Sequence, residues 1–320
     1  MDLQYLLLLQ NFRNAAGSFL ITPMLLISDF ATYGSAACCI VIYWAVSREL
    51  GYWFVTNCVV GFFINNLLKL TACVYRPWIR LPQIEPPAKA LESATGYSFP
   101  SGHTQTAASF FGSCAFRKGE DRLPLKVTCI VLILLTGFSR NFLGVHTPQD
   151  VLASMACAAV LIWALRILFS KIEQTPSIVY PAAVAGIVIV ILAVVYFQLK
   201  TYPMDYMDGA LIVDPEIMKE DGFTTAGMAL GFFSGVLVEV RFIRFKTEGT
   251  VLRRILRVLL GIPLPIVHLK VIKPIVYNAI GELPGHLVVY GILIFYVVAL
   301  YPAMFSAVQK RLDNTKTEET

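Results

Sequence analysis

Apolar residues fall in blocks about as long as a bilayer is thick, and short polar or charged stretches separate them. The blocks lie at about 18–46, 50–75, 100–117, 124–143, 148–169, 177–199, 223–240, 256–277 and 286–306. A helix needs roughly 20 apolar residues to cross the hydrocarbon core, and only a helix or a closed barrel keeps its backbone hydrogen-bonded there. The pattern therefore predicts nine membrane-spanning helices. The block at 256–277 is broken by Pro263, Pro265, His268, Lys270, Lys273 and Pro274, which predicts a kinked or re-entrant helix lining a cavity, with His268 structural or lining. Before the first block, Gln10, Asn11, Arg13 and Asn14 interrupt the leucines, as in a helix lying in the interface.

The expected fold class is all-α, a multi-span transmembrane bundle with a six-helix core and about three C-terminal spans. The expected division is 1–17 interfacial helix, 18–199 core, 200–306 three-span extension and 307–320 disordered polar tail. Composition agrees: 57% of residues are hydrophobic and 15% charged, against about a quarter charged in soluble domains. The start, MDLQYLLLLQNF, lacks a basic leader, so the first span is expected to direct insertion. Seven cysteines sit mostly inside apolar blocks without metal-ligand spacing and read as small hydrophobes.

Chemistry-bearing residues concentrate in three pieces: KLTACVYRP at Lys69–Pro77, FPSGH at Phe99–His103 and SRNFLGVHTPQD at Ser139–Asp150. Lys69, Arg76 and Arg140 can neutralise the charge a phosphoryl group spreads over its equatorial oxygens, and the arginines can do so bidentately. Pro100, Ser101 and Gly102 open an apolar run predicted to be helical. Its free N–H groups would bind an anion, and Gly102 would allow close approach. Thr147 suits an N-cap and Pro148 the first helical position. Asp150 then falls where it can hold one ring nitrogen of His146 and leave the other free to attack phosphorus, while His103 serves as general acid. Each piece also has a plain structural reading. T-P-Q-D is an ordinary capping box, and Arg76-Pro77 suits an interfacial anchor.

K-x6-R-P, P-S-G-H and S-R-x5-H-x3-D together resemble the three-part signature of the type 2 phosphatidic acid phosphatase superfamily, over roughly residues 50–170. The resemblance implies a phosphatase without a metal or other cofactor, working through a phosphohistidine. His146 would be the nucleophile with Asp150 beside it, and His103 would protonate the leaving group. Lys69, Arg76, Ser101, Gly102 and Arg140 would cradle the phosphate. A nine-span arrangement is similar to glucose-6-phosphatases, and cores with added C-terminal helices are similar to sphingosine-phosphate phosphatases. The expected substrate is a lipid phosphate or diphosphate, such as undecaprenyl diphosphate, phosphatidate or a sphingoid phosphate. The same residues would also suit a phosphotransferase, a sugar-phosphate phosphatase or a non-catalytic lipid-phosphate binder.

Charge fixes the expected orientation. Arg48, the Arg117–Lys126 cluster, Arg166, Lys171, the Arg241–Arg257 stretch and the tail lysines fall opposite the motifs. The positive-inside rule then places the motifs outside the cytoplasm, for which a bacterial cell membrane is the expected setting. The net charge of +5 points to membrane lipids as partners and nothing points to nucleic acid. Gly227, Gly231 and Gly235 recur every fourth residue and permit close helix packing, within the chain or in a homodimer. Asp29 either links to the active site or marks the outer end of the first span, and the second is adopted. The acidic 200–222 loop (Asp205, Asp208, Asp214, Glu216, Glu220, Asp221) matches no metal-loop spacing and reads as solvated.

Overall fold

The computed structural model describes residues 2–207 and 209–318, so Asp208 of the acidic loop lies outside the described residues. Helices dominate, as the apolar blocks require. They are α1 (Asp2–Ala16), α2 (Ile21–Val46), α3 (Arg48–Ala72), α4 (Gly102–Ala115), α5 (Leu123–Phe142), α6 (Pro148–Gln174), α7 (Val179–Leu199), α8 (Pro215–Val238), α9 (Val251–Ile280) and α10 (Glu282–Arg311). Helical backbone continues to Glu318, where the sequence predicts a disordered tail. The two strands are a two-residue hairpin, Tyr206–Met207 against Ala210–Leu211, inside the acidic loop.

Among the described residues, eight helices are long and apolar enough to cross a membrane. The exception among the nine expected blocks is α4, with 14 residues. At 1.5 Å per residue that is about 21 Å, short of the roughly 30 Å core. The block at 256–277 lies in one stretch long and apolar enough to span, α9, which bends at Ile262 and passes through a π turn at His268–Ile272. One extra residue in that turn lets the prolines on either side stay inside a helix.

The chain forms two compact units, and they do not follow the sequential cut expected at residue 199. The first takes residues up to Ala37, Val60–Ser170 and Leu199–Gly222. Its core sets α4 against α5, with Ala107, Phe111 and Ala115 packed on Cys129 and Ala31. A second cluster of Ala90, Ala94, Leu143 and Val145, with Trp78 and Met24 against it, underlies the loops that carry the chemistry. Within this unit α1 docks by hydrogen bonds: Arg13 donates to the carbonyls of Phe142 (2.8 Å) and Glu85 (2.6 Å).

The second unit takes Cys38–Val59, Lys171–Gln198 and the chain from Phe223 onward. The glycine stripe of α8 is used here. A Cβ on Gly227 or Gly231 would run into the backbone carbonyl of Leu287 or Gly291 on α10. Fully buried Glu239 accepts from Arg48 at 2.8 Å and from the hydroxyl of Tyr52. His268 faces the carbonyl of Val289 at 2.8 Å, a structural role.

Candidate active site

Four local structures in the first unit aim the chemistry-bearing side chains. Helix α3 ends just after Lys69: Cys73 takes a left-handed φ of 50° and its N–H returns to the Lys69 carbonyl at 3.0 Å. The ammonium of Lys200 then accommodates the orphan carbonyls of Leu70 (2.6 Å) and Thr71 (2.7 Å), where a cation also suits the helix dipole. Helix α5 ends on Gly144, at φ +75°, which swings the chain from Arg140 into His146. Asn141 donates to the His146 carbonyl at 2.9 Å and fixes that turn.

The other two are helix starts. Ser101 caps α4, accepting from the Thr104 N–H at 3.4 Å and sharing a 2.9 Å bond with the Thr104 hydroxyl. Its hydroxyl, sequence-matched to phosphate binding, is fully buried in that cap. Thr147 and Asp150 form the expected capping box at the start of α6, with Thr147 N–H to Oδ2 at 2.8 Å and Asp150 N–H to Oγ1 at 3.4 Å. The two starts are stitched together: Ser101 N–H reaches the Asp150 carbonyl at 3.1 Å, and Ser154 Oγ donates to the Ser101 carbonyl at 2.9 Å.

Buried Arg76 uses four of its five N–H donors within the protein. Nη2 donates to the carbonyl of Thr95 (2.7 Å), Nε to Gly96 (3.1 Å), and Nη1 to Val145 (3.0 Å) and to Nε2 of His146 (2.9 Å). A guanidinium can only donate, so Nε2 is the unprotonated nitrogen. The ring proton therefore sits on Nδ1, which faces Oδ2 of Asp150 at 3.4 Å. Capping box and histidine partner are thus one carboxylate, and the structural and chemical readings of T-P-Q-D hold together. Burial pushes the His146 imidazole well below its ordinary pKa, and the Arg76 charge adds to this, against the pull of Asp150.

The remaining positions converge. The charges acting on His103 include Arg140, Lys69 and Arg76, and the His146 ring lies within reach of it as well. Those acting on Lys69 include Arg76, Asp150 and Arg140. Arg140, fully buried, donates to Ser28 Oγ at 2.9 Å and to Ser93 Oγ at 3.4 Å, and its Nε has no hydrogen-bond partner among the described residues. The Asp29 carboxylate acts favourably on the Arg140 charge, so it takes part in the site's electrostatics. Asp221 acts on both Lys69 and Arg76. Sequence reasoning passed over Ser28, Ser93 and Ser98, and read Asp221 only as part of a solvated loop. Ser and Asp at these places carry no motif, and Ser98 alone had a signal, standing three residues before Ser101.

The arrangement is an imidazole with an unprotonated nitrogen, a carboxylate behind it, a second imidazole nearby and three cations, set at two helix N-termini. Models of known families match this chain twice. The PAP2 superfamily model covers residues 49–174, and the model described as PAP2 superfamily phosphatase, transmembrane extension, covers 223–313. The chain belongs to the PAP2 superfamily. It is a multi-pass membrane protein, as the transmembrane-extension match over part of α8, α9 and α10 and the eight apolar helices among the described residues show. Among curated proteins it is similar to undecaprenyl-diphosphatase BcrC of Bacillus subtilis, 33% identical over 32% of this chain and 49% of the relative. It is also similar to phosphatidylglycerophosphatase B of Bacillus subtilis, 27% identical over 32% of this chain and 52% of the relative. The chain thus spans about half the length of the curated relatives it matches. No solved structure matches it. Every signature residue of the PAP2 superfamily that the sequence shows lies within the first match.

Proposed function

We propose that this PAP2 member is a phosphatase that hydrolyses a lipid phosphate or diphosphate through a phosphohistidine on His146. The observation that carries this is the line Arg76–His146–Asp150, in which Nε2 keeps its lone pair and Nδ1 keeps its proton. Nε2 attacks phosphorus while the bond to the leaving oxygen breaks, and His103 supplies the proton that oxygen needs. Water then attacks the phosphohistidine, its proton passes to His103, and inorganic phosphate leaves. Lys69, Arg76, Arg140 and the N-terminus of α4 around Gly102 hold the equatorial oxygens, and Ser101 holds the helix start itself. An incoming phosphate dianion also supplies the counter-charge that a protonated His103 requires among those cations.

A lipid is favoured as substrate by what flanks the site. Leu134, Leu135 and Phe138 on α5 and Leu152 on α6 are exposed within two turns of Arg140 or Asp150, so a tail can remain in the bilayer. The two relatives are named for undecaprenyl diphosphate and phosphatidylglycerophosphate, which places both candidates first in an assay. The basic residues opposite the motifs favour a site facing outside the cytoplasm of a bacterial cell. The test is phosphate release from these lipids by purified protein in detergent with EDTA present, with trapping of acid-labile labelled phosphate on the protein. His146→Ala must abolish both. Turnover that depends on added metal, or persists in that variant, would overturn the mechanism. Label passing to an acceptor lipid would make it a phosphotransferase, and preference for a soluble sugar phosphate would reassign the substrate.

A further inference from the structure

Helix α3 carries a second polar side chain on the face that carries Lys69. Asn65 lies one turn before it, at i−4, so the two project on the same side. Asn65 is 1% exposed, yet neither its Oδ1 nor its Nδ2 has a hydrogen-bond partner among the described residues. Its neighbour Asn66 behaves ordinarily, donating back to the Phe62 carbonyl at 3.3 Å. A buried carboxamide with both ends unmet costs stability, and such groups are retained where something absent from the protein satisfies them.

The direction of the side chain says what that is. A Cβ built on Gly102 would meet one heavy atom within 4 Å, Oδ1 of Asn65 at 3.8 Å. Gly102 is the first residue of α4, and His103 follows it. The first N–H groups of a helix have no intrahelical acceptor and attract an anion. The carboxamide therefore points at the helix start where the phosphoryl oxygens are to be held. Nothing bonded to it fixes its flip, and a half-turn about χ2 presents Nδ2 at the same place.

We propose that Asn65 is a further phosphate-binding residue: its Nδ2 donates to a non-bridging oxygen of the phosphoryl group seated between Lys69 and the N-terminus of α4 around Gly102. It adds a neutral, directional donor, and so fixes rotation that point charges leave free. The inference rests on the phosphatase reading only for the origin of the phosphoryl group; inorganic phosphate or orthovanadate would be held the same way.

The experiment uses the full chain in detergent with orthovanadate and inorganic phosphate as probes. Asn65→Leu, close in shape and without polar atoms, is expected to melt at or above the wild-type temperature without anion. Its orthovanadate inhibition constant and its KM should both rise about tenfold, the scale of one lost hydrogen bond to a charged group. Asn65→Asp, nearly identical in shape, should bind orthovanadate more weakly still through repulsion. A lower melting temperature with unchanged anion stabilisation in Asn65→Leu would show a structural role and overturn the proposal. So would wild-type orthovanadate affinity in Asn65→Asp. If wild-type protein binds orthovanadate in an Asn65-dependent way but releases no phosphate from any lipid, the phosphatase reading fails while this one stands.

Discussion

Ser98 donates to Oδ2 of Asp150 at 2.6 Å, the oxygen that also faces Nδ1 of His146. With the Thr147 N–H as a third contact, that one oxygen is held from three directions. Asp150 can therefore orient the imidazole only because Ser98 and the helix cap orient Asp150. Ser98→Ala should lower kcat by about tenfold with little change in KM, since the hydrogen bond to a charged group that it removes contributes about 1.5–3 kcal/mol. Steady-state kinetics on a lipid phosphate, with Asp150→Ala as the more damaged reference, checks this.

Arg140 is held by two serines from outside its own helix, and Ser28 lies outside both family matches. Removing the Ser28 hydroxyl leaves the guanidinium one anchor short and freer to swing from the phosphate. Ser28→Ala should raise the orthovanadate inhibition constant roughly threefold to tenfold and leave the fold intact. Arg140→Lys, which cannot keep both serines and a bidentate contact, should lose more.

His146 fixes a pH dependence. Its imidazole is neutral in the fold because burial and Arg76 lower its pKa from the ordinary 6.5. The neutral ring's contribution to stability is fully present above 6.5 and is lost as pH falls toward the depressed folded value. The acid limb of kcat/KM on a diphosphate substrate should accordingly fall below pH 6.5, because that limb reports the free enzyme. A limb at or above 6.5 that tracks His146 would show a ring less buried than this one.

Asp221 places a carboxylate within electrostatic reach of Lys69 and Arg76. Met218, one turn earlier on α8, packs against Gly96, whose carbonyl takes the Nε of Arg76, so the start of α8 is pinned to the same loop. Neutralising that carboxylate deepens the positive potential. Asp221→Asn should tighten orthovanadate roughly threefold to tenfold, and raised salt should shrink the difference.

The contact between α8 and α10 in the second unit makes a stability prediction. Gly231 abuts the Gly291 carbonyl, and Gly231→Ala would force the two helices apart. The expected cost is about 1–3 kcal/mol, visible as a lower melting temperature in detergent. Orthovanadate affinity should hold, because the phosphate ligands all belong to the first unit.

Helix content, the capping box, the glycine stripe and the three clusters of charge were legible in the sequence because each depends on residues close together in the chain. A block of twenty apolar residues must be helical in lipid whatever lies beside it, and Thr147 caps α6 with Asp150 from three residues away. The start of α4 at Pro100–Gly102 was legible, but its end was not, because the apolar run to residue 117 gives no sign of the turn after Ala115. The partners of the charged groups were not legible. Arg76 is fixed by the backbone carbonyls of Thr95, Gly96 and Val145, which every residue type offers alike. Ser28 reaches Arg140 across 112 residues of chain, and Asn65 meets Gly102 only because α3 and α4 pack side by side. The chain's own order therefore determined which groups this protein has for handling a phosphate. Tertiary packing decided which nitrogen of His146 stays free and which polar side chains are left without a partner.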